Sequence, residues 1–238
     1  MALTLRESLL ANDLFDEKDL LQRFCDWADK GDYSHNGRCF DIGMTVRGAL
    51  ARFDKTGDPV AGSTDPQSAG NGSLMRLAPV PFRFPFAPDR LEEVARRPSR
   101  TTHGAEEAVE ACAAYAGLIA KAIRGESKEV VLSSSSRYWP ARGAAAMRME
   151  TIRWHRGQVR GSGYVIHSLE AALWAVGNAG SYREAVLLAT NLSEDADTTA
   201  AIAGQLAGAL WGVTGIPGAW LTRLAWRERI SDLADRSR

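Results

Sequence analysis

Cysteine is scarce in this chain: 238 residues hold only Cys25, Cys39 and Cys112, far apart and with no C-x-x-C pair. That spacing excludes a disulfide framework or a cysteine-rich zinc site and fits a reducing, cytoplasmic compartment. Net charge is missing too, because 29 basic and 29 acidic residues cancel. A neutral balance gives no electrostatic case for nucleic acid or for an anionic membrane surface as partner. The local basic clusters, Arg96-Arg97 and those between Arg223 and Arg229, read as solvated helix faces. No apolar run reaches the roughly 20 residues needed to cross a bilayer, and Arg6 and Glu7 interrupt the first apolar residues, so no signal peptide is expected. Strand-like alternation is nearly absent, as are repeats and low-complexity domains. What these absences leave is a soluble protein long enough for one large domain with a sizeable core.

Helical periodicity fills the space. Residues 1–11 read as a helix already under way, apolar from the start and with no capping residue ahead of it. A second helix over 16–29 carries Leu20, Leu21, Phe24 and Trp27 on one face and stops at Gly31. After a polar loop and Phe40-Asp41-Ile42-Gly43 comes a third, with Met44, Val46, Leu50 and Phe53. Residues 54–70, rich in Gly, Ser, Pro, Asp and Thr, read as a long loop of the kind that serves as a lid or binding loop. An alanine-rich helix is expected over 105–124 with Gly125 as its stop, then a polar, irregular surface connection over 126–142 that includes the run Ser133 to Ser136. Leu169, Ala172, Leu173 and Val176 mark another helix, and 182–190 a further one. Pro217 suits the first turn of a last helix whose apolar face is Trp220, Leu221, Leu224, Ala225 and Trp226. The charged tail beyond it is expected to fray. The pattern predicts an all-α fold: one domain over 1–238, a multi-helix bundle with its function on loops at one side.

One stretch carries chemistry. In Asn191-Leu192-Ser193-Glu194-Asp195-Ala196-Asp197-Thr198-Thr199, two carboxylates two residues apart are followed by a hydroxyl and then by an apolar, helix-forming run. Asp and Thr open helices by accepting the free N–H groups of the first turn, so a helix start is predicted at Asp197 or Thr198. Gly204, Gly208 and Gly212 recur every four residues. Each costs about 1 kcal/mol of helix propensity, which suggests that another backbone packs close against this face and that the helix opening lies deep in the molecule. Two readings stand at this point. Asp197 is a helix cap beside a solvated Asp195, or the pair binds a hard cation such as Mg²⁺, Mn²⁺ or Ca²⁺.

Other motifs leave similar pairs of readings. Gly70-Asn71-Gly72-Ser73-Leu74-Met75-Arg76 is an ordinary turn or a loop whose glycines bring backbone N–H groups to a ligand. Arg76 pairs with a phosphate or with an internal carboxylate. His103 precedes a helix and is structural, or it belongs to a phosphate site at the helix N-terminus. His35, His155 and His167 form no ligand-like group with it. Gly161-Ser162-Gly163-Tyr164 is a glycine-rich helix entry with a core tyrosine, or a second ligand loop. Asp41 is a helix N-cap or a working carboxylate.

Asp195 to Gly208 resembles the C-terminal metal motif of the ADP-ribosylglycohydrolase family, in particular its bacterial branch similar to dinitrogenase reductase-activating glycohydrolase. Asn71 to Arg76, Thr102-His103, Gly161 to Val165 and Phe40 to Gly43 resemble further motifs of that family, although relatives usually have Asn where this chain has Met44. The resemblance implies metal-assisted hydrolysis of the glycosidic bond between ADP-ribose and a protein side chain, arginine first, with serine-linked or free ADP-ribosyl compounds as other targets. It implies Mg²⁺ or Mn²⁺, a binuclear pair in the family, on Asp195, Asp197 and Thr198. Asp41 would be the acid–base or positioning carboxylate at the ribose. Asn71, Gly72, Ser73, Met75, Arg76 and His103 would hold the diphosphate side, and Gly163 and Tyr164 the adenosine side.

The resemblance also implies a departure. Relatives usually carry Thr-Asp-Asp-Thr one residue before a Met-Ala-Leu of this kind, and those residues supply metal ligands. The expectation is a domain N-terminally truncated relative to the family, holding one ion or none, with impaired activity and with apolar surface on the first helix left open to self-association. Two rival classes follow: a catalytically inactive ADP-ribose or nucleotide-binding module, and a structural relative.

Overall fold

The computed structural model describes residues 1–12, 15–133, 150–192 and 194–236. Among them are twelve α-helices and no β-strand. In chain order these are α1 (Ala2–Ala11), α2 (Glu17–Lys30), α3 (Met44–Thr56), α4 (Pro79–Arg83), α5 (Pro88–Arg100) and α6 (Glu106–Ile123). There follow α7 (Lys128–Ser133), α8 (Val165–Gly177), α9 (Tyr182–Thr190), α10 (Ala196–Trp211), α11 (Gly218–Leu221) and α12 (Arg227–Asp235). No helix among the described residues is long and apolar enough to cross a membrane.

The two most apolar helices form the centre. Helix α6 buries Ala108, Ala111, Cys112, Tyr115 and Ile119, and α8 buries Val165, Leu169, Ala172, Leu173 and Val176. Helices that are apolar nearly all round belong in an interior. Helix α6 packs on α5, α10 and α8, while α9 and α8 flank α10. Tyr115 is fully buried, and its hydroxyl donates to the carbonyl of Ile202 at 2.7 Å, pinning α6 to α10. Burial pushes this phenol's pKa far up, so it stays a neutral donor.

Local chemistry sets the helix ends. The Asp16 carboxylate caps α2 by accepting from the N–H groups of Lys18 and Asp19 at 2.8 and 3.0 Å, as Asx caps do. Gly31 closes the helix in the left-handed conformation, φ 74°, the usual glycine C-cap. A Cβ here would lie 2.2 Å from the carbonyl oxygen of Gly37, so both backbone angle and space require glycine.

Several expectations need correction. Helix α3 runs through Thr56, and the segment after it is no free lid. A Cβ at Gly62 would lie 2.5 Å from the amide nitrogen of Gly104, and the Gly62 N–H donates to Arg100 at 2.9 Å. Backbone contact this close pins the segment to the entrance of α6. The final helix is two helices, because Trp226 takes a left-handed conformation, φ 57°, between α11 and α12. Pro217 directly precedes the first of them. Residues 128–133 are helical rather than irregular, and the remainder of the 126–142 connection, 134–142, lies outside the described residues.

Arg96 and Arg97 are not simply solvated. Arg96 makes a two-bond pair with Glu110, both at 2.8 Å, and Arg97 reaches Glu17, so together they tie α5 to α6 and α2. The glycine row of α10 accommodates a side chain, not a backbone. A Cβ at Gly204 would sit 3.6 Å from the Tyr182 hydroxyl, and one at Gly208 3.9 Å from the Tyr182 ring, while Gly212, φ 68°, ends the helix.

Gly31→Ala is expected to destabilise the fold by more than about 1 kcal/mol, since alanine at positive φ costs more than it recovers in chain entropy. Thermal unfolding of wild type and variant measures this as a lower midpoint for Gly31→Ala.

Candidate functional site

Three segments remote in sequence meet at one place. Gly161 to Val165 lies between two neighbours. On one side the Asn71 N–H donates to the Gly163 carbonyl at 3.1 Å, and the Val165 N–H to the Ala69 carbonyl at 3.0 Å. Gly70 and Tyr164 thus form an isolated antiparallel bridge. On the other side the Asp195 N–H donates to the Gly161 carbonyl at 2.6 Å.

The Asn71 side chain locks the junction. Its amide nitrogen lies 2.7 Å from Oδ2 of Asp195 and 2.8 Å from Oγ of Ser168, with the Ser162 carbonyl at 3.5 Å. Ser168 donates its own proton to the Ser162 carbonyl at 2.7 Å. Asn71 is only 8% exposed, so these bonds are made largely out of water, where an unmet partner is costly.

Asp195 is the residue before α10, which starts at Ala196, one residue ahead of the predicted onset. Its side chain makes no capping bond; the carboxylate accepts from Asn71 instead. Asp197 is exposed and Asp195 and Thr198 half-buried, so the helix opens at the surface, not deep inside. Asp195 is not free to cap, and Asp197 lies inside the first turn rather than capping it.

Beneath the glycine loop lies a buried cation. Arg76 is 2% exposed. Its guanidinium donates to the carbonyls of Gly72 and Pro98, each at 3.2 Å, and to Thr102 Oγ1 at 2.6 Å, and it lies over the Phe24 ring at 4.8 Å. Its partners among the described residues are thus neutral acceptors and an aromatic face, not the internal carboxylate expected. Burial pushes its pKa down to about 10, which leaves it charged at neutral pH.

Thr102 accepts from Arg76, so its own proton is available to Nδ1 of His103, 2.8 Å away. That arrangement puts the imidazole proton on Nε2. Burial, and then the Arg76 charge, lower the His103 pKa to about 3, so the ring is a neutral donor. Its ring lies under the loop: a Cβ at Gly72 would come within 2.9 Å of Nε2 and Cε1. Gly72 is therefore glycine because of His103.

The other candidates divide between interior and surface. Ser73 is buried, accepting from Ser99 at 2.9 Å, with the Cys112 thiol at 3.5 Å. The Tyr164 hydroxyl donates to Glu107 at 2.6 Å while its ring meets His167 edge-on at 4.9 Å. His167 in turn shares a 2.8 Å hydrogen bond with Ser162. Gly163 is exposed beside Asp195, with 3.8 Å between a built Cβ and Oδ2. Asp41 lies apart from this cluster, exposed and with φ 53°, on a cleft of about 380 Å³ that Met75, Arg76 and Ala201 also line. The α3 cap is Gly43, so Asp41 is no helix cap. A larger hollow of about 520 Å³ opens behind the same segment at Cys39 and Ile42, away from the candidate ligands.

The donor chemistry at Asp195, Asp197 and Thr198 suits a hard divalent ion. One Asp195 oxygen and both Asp197 oxygens have no partner among the described residues. The set is nonetheless partial: among the described residues no three His, Cys, Asp or Glu side chains are grouped to hold a metal ion. Two carboxylates and a hydroxyl fill only part of an octahedral shell. Sequence reasoning missed Ser168 and named Ser162 and Thr102 only within their motifs; their hydroxyls meet Asn71, His167 and His103. The only signal for Ser168 was a polar residue on an otherwise apolar helical face.

Comparisons with known proteins find relatives along the whole of this chain. The family model for ADP-ribosylglycohydrolase matches residues 1–238. The chain is 42% identical over 236 residues to ADP-ribosylarginine hydrolase Tri1 of Pseudomonas putida (strain GB-1), covering 98% of this chain and 63% of that protein. It is 39% identical over 235 residues to ADP-ribosylarginine hydrolase Tri1 of Serratia proteamaculans (strain 568), covering 99% and 64%. The chain therefore spans a little under two thirds of the length of these relatives. A solved ADP-ribosylglycohydrolase-related protein complex matches with a TM-score of 0.79 at 41% identity, over 99% of this chain and 78% of that one.

Asn71→Ala is expected to destabilise the fold by about 1–3 kcal/mol by leaving buried partners unmet. Asn71→Asp is expected to cost more at neutral pH, since it sets a carboxylate against Asp195, and to recover as pH falls and one of the pair protonates. Thermal unfolding of both variants at pH 7 and pH 4 checks the order and its pH dependence.

Proposed function

This chain belongs to the ADP-ribosylglycohydrolase family, and from that premise we propose that it hydrolyses the N-glycosidic bond joining ADP-ribose to an arginine side chain of a protein. The observation that carries the reading is the Asn71–Asp195 hydrogen bond. It sets a glycine loop suited to a diphosphate beside carboxylates suited to a cation. Similarity to two ADP-ribosylarginine hydrolases supports arginine as the linkage.

Water adds its oxygen to the anomeric carbon, the carbon–nitrogen bond breaks, and the guanidine leaves with a proton. The barrier is the positive charge that develops on the ribose ring. Asp195 and Asp197 bring fixed negative charge to that region, and Asn71 holds Asp195 in place for it. The Nε2–H of His103 and the backbone N–H groups of the Gly72 loop are the donors for the diphosphate. Asp41 is the carboxylate that takes or returns a proton. Asp195, Asp197 and Thr198 are the proposed ligands of Mg²⁺ or Mn²⁺. When bound, such an ion supplies Lewis-acid polarisation and a more acidic water. The partial donor set favours weak binding of a single ion, and it also supports the second reading, a module that binds ADP-ribose without cleaving it.

The test is release of ADP-ribose from an ADP-ribosylarginine peptide, followed by mass spectrometry with Mn²⁺, with Mg²⁺ and with chelator. Release is expected with metal and not with chelator, and an Asp195→Ala, Asp197→Ala double variant is expected to lose at least about 10²-fold in rate, the cost of misplacing reacting groups. Equal release by the double variant contradicts the assignment. Saturable ADP-ribose binding with no release supports the binding module instead.

A further inference from the structure

Helix α10 grips the glycine loop a second time, further along its length. Its buried residues are Thr199, Ile202, Ala203, Leu206 and Ala207, and the half-buried Gln205 borders that face one turn after Ile202. The Gln205 Nε2 donates to the Leu74 carbonyl at 3.0 Å, across 131 residues of chain. Its Oε1 is buried and has no partner among the described residues. As a prop for stability this is a poor arrangement, because the modest net gain from one bond is set against an unmet, desolvated oxygen. What the bond supplies is position.

The peptide unit it holds, between Leu74 and Met75, is planar and rigid. On one side the Leu74 carbonyl accepts from Gln205, and on the other the Met75 N–H donates to the Asn71 carbonyl at 3.1 Å. Asn71 is also the residue whose side chain reaches Asp195. The bonds therefore close a circuit: from Asp195 through Asn71 and the Leu74–Met75 peptide to Gln205, and back along α10. Its two ends, Asp195 and Gln205, lie about 15 Å apart at the helical rise per residue.

Inside the circuit are Gly72 and Ser73, whose N–H groups have no acceptor among the described residues. The other donor to the Leu74 carbonyl is the Leu77 N–H, at a longer 3.3 Å. On the helix side, the Tyr115 hydroxyl holds the Ile202 carbonyl at 2.7 Å, one turn before Gln205. Gln205 thus reaches the loop from a braced stretch of α10.

We propose that Gln205 is a positioning residue for nucleotide binding. Through the Leu74–Met75 peptide it holds the Gly72 and Ser73 N–H donors at a set distance from Asp195 and Asp197. The inference rests on the hydrolase reading, in which those donors take the diphosphate and those carboxylates serve the ribose. A loop fixed to the helix that carries the carboxylates grips both parts of ADP-ribose with little ordering left to do on binding.

Gln205→Met removes the donor and keeps the volume, and Gln205→Leu is a second donorless variant. Their unfolding midpoints are expected within about 4 °C of wild type, as for volume-conserving swaps. Amide hydrogen exchange at Met75 and Leu77 should quicken about fivefold or more, the worth of one hydrogen bond, with α6 unchanged. Affinity for ADP, measured calorimetrically, should fall by a similar factor while affinity for Mn²⁺ stays as in wild type. KM for an ADP-ribosylarginine peptide should rise in step, with kcat changed less than about twofold, as when uniform binding is lost. Unchanged exchange at Met75, unchanged ADP affinity, or equal loss of ADP and Mn²⁺ affinity overturns the proposal. A midpoint lowered by more than about 10 °C in both variants, well beyond such a swap, assigns Gln205 to the fold instead. A wild type that binds ADP and releases no ADP-ribose counts against the hydrolase reading and leaves the role of Gln205 standing, whereas one that binds no ADP overturns both.

Discussion

The bond from Asn71 to Asp195 holds this protein's site together. It joins residues 124 apart in sequence at 2.7 Å, and with the Asn71–Ser168 bond at 2.8 Å it ties the glycine loop to both the start of α10 and the first turn of α8. A half-buried carboxylate at a helix start has an easier choice, which is to cap its own helix. Asp195 forgoes that because a better-placed donor reaches it from another loop. The consequence is a carboxylate fixed in direction, with its second oxygen and the neighbouring Asp197 left to face outward.

A second constraint works from below. Arg76 is a cation in the interior with neutral partners, a costly arrangement unless each donor is met. Its acceptors are carbonyls, the Thr102 hydroxyl and the face of Phe24. That network sets the tautomer of His103 and presses its ring against Gly72. The loop's backbone is thereby shaped by a charge it never exposes. Asn71 above and Arg76 below belong to one seven-residue segment, so a short string of sequence organises both the surface carboxylates and the buried base of the site.

Much of the architecture could be read from the chain because helix signals are local. Asp16 and Gly31 announce the ends of α2 through capping chemistry acting within a few residues, and Gly125 does the same after α6. The three loops of the site were also legible as motifs. Their roles were not, because each depends on a partner far away in sequence. That Gly72 has no room for a side chain shows only once His103 is seen beneath it. Gly204 and Gly208 look like a backbone contact until Tyr182 fills the space. Arg96 and Arg97 look solvated because Glu110 and Glu17 lie 14 and 80 residues away. The break at Trp226 had no local signal, since an apolar helical pattern continues through it.

The central claim is that Asp195, Asp197 and Thr198, braced by Asn71, form the metal end of an ADP-ribosylarginine hydrolase site. Paramagnetic broadening of amide resonances by Mn²⁺ tests it most directly, because it reports where the ion rests without requiring turnover. The account predicts broadening centred on Asp195 to Thr199, extending to Asn71 and Gly163, and absent in the Asp195→Ala, Asp197→Ala double variant. Broadening centred elsewhere, for example at Asp29 and Asp54, which line the hollow of about 520 Å³ beside Cys39, or none at millimolar Mn²⁺, would contradict it.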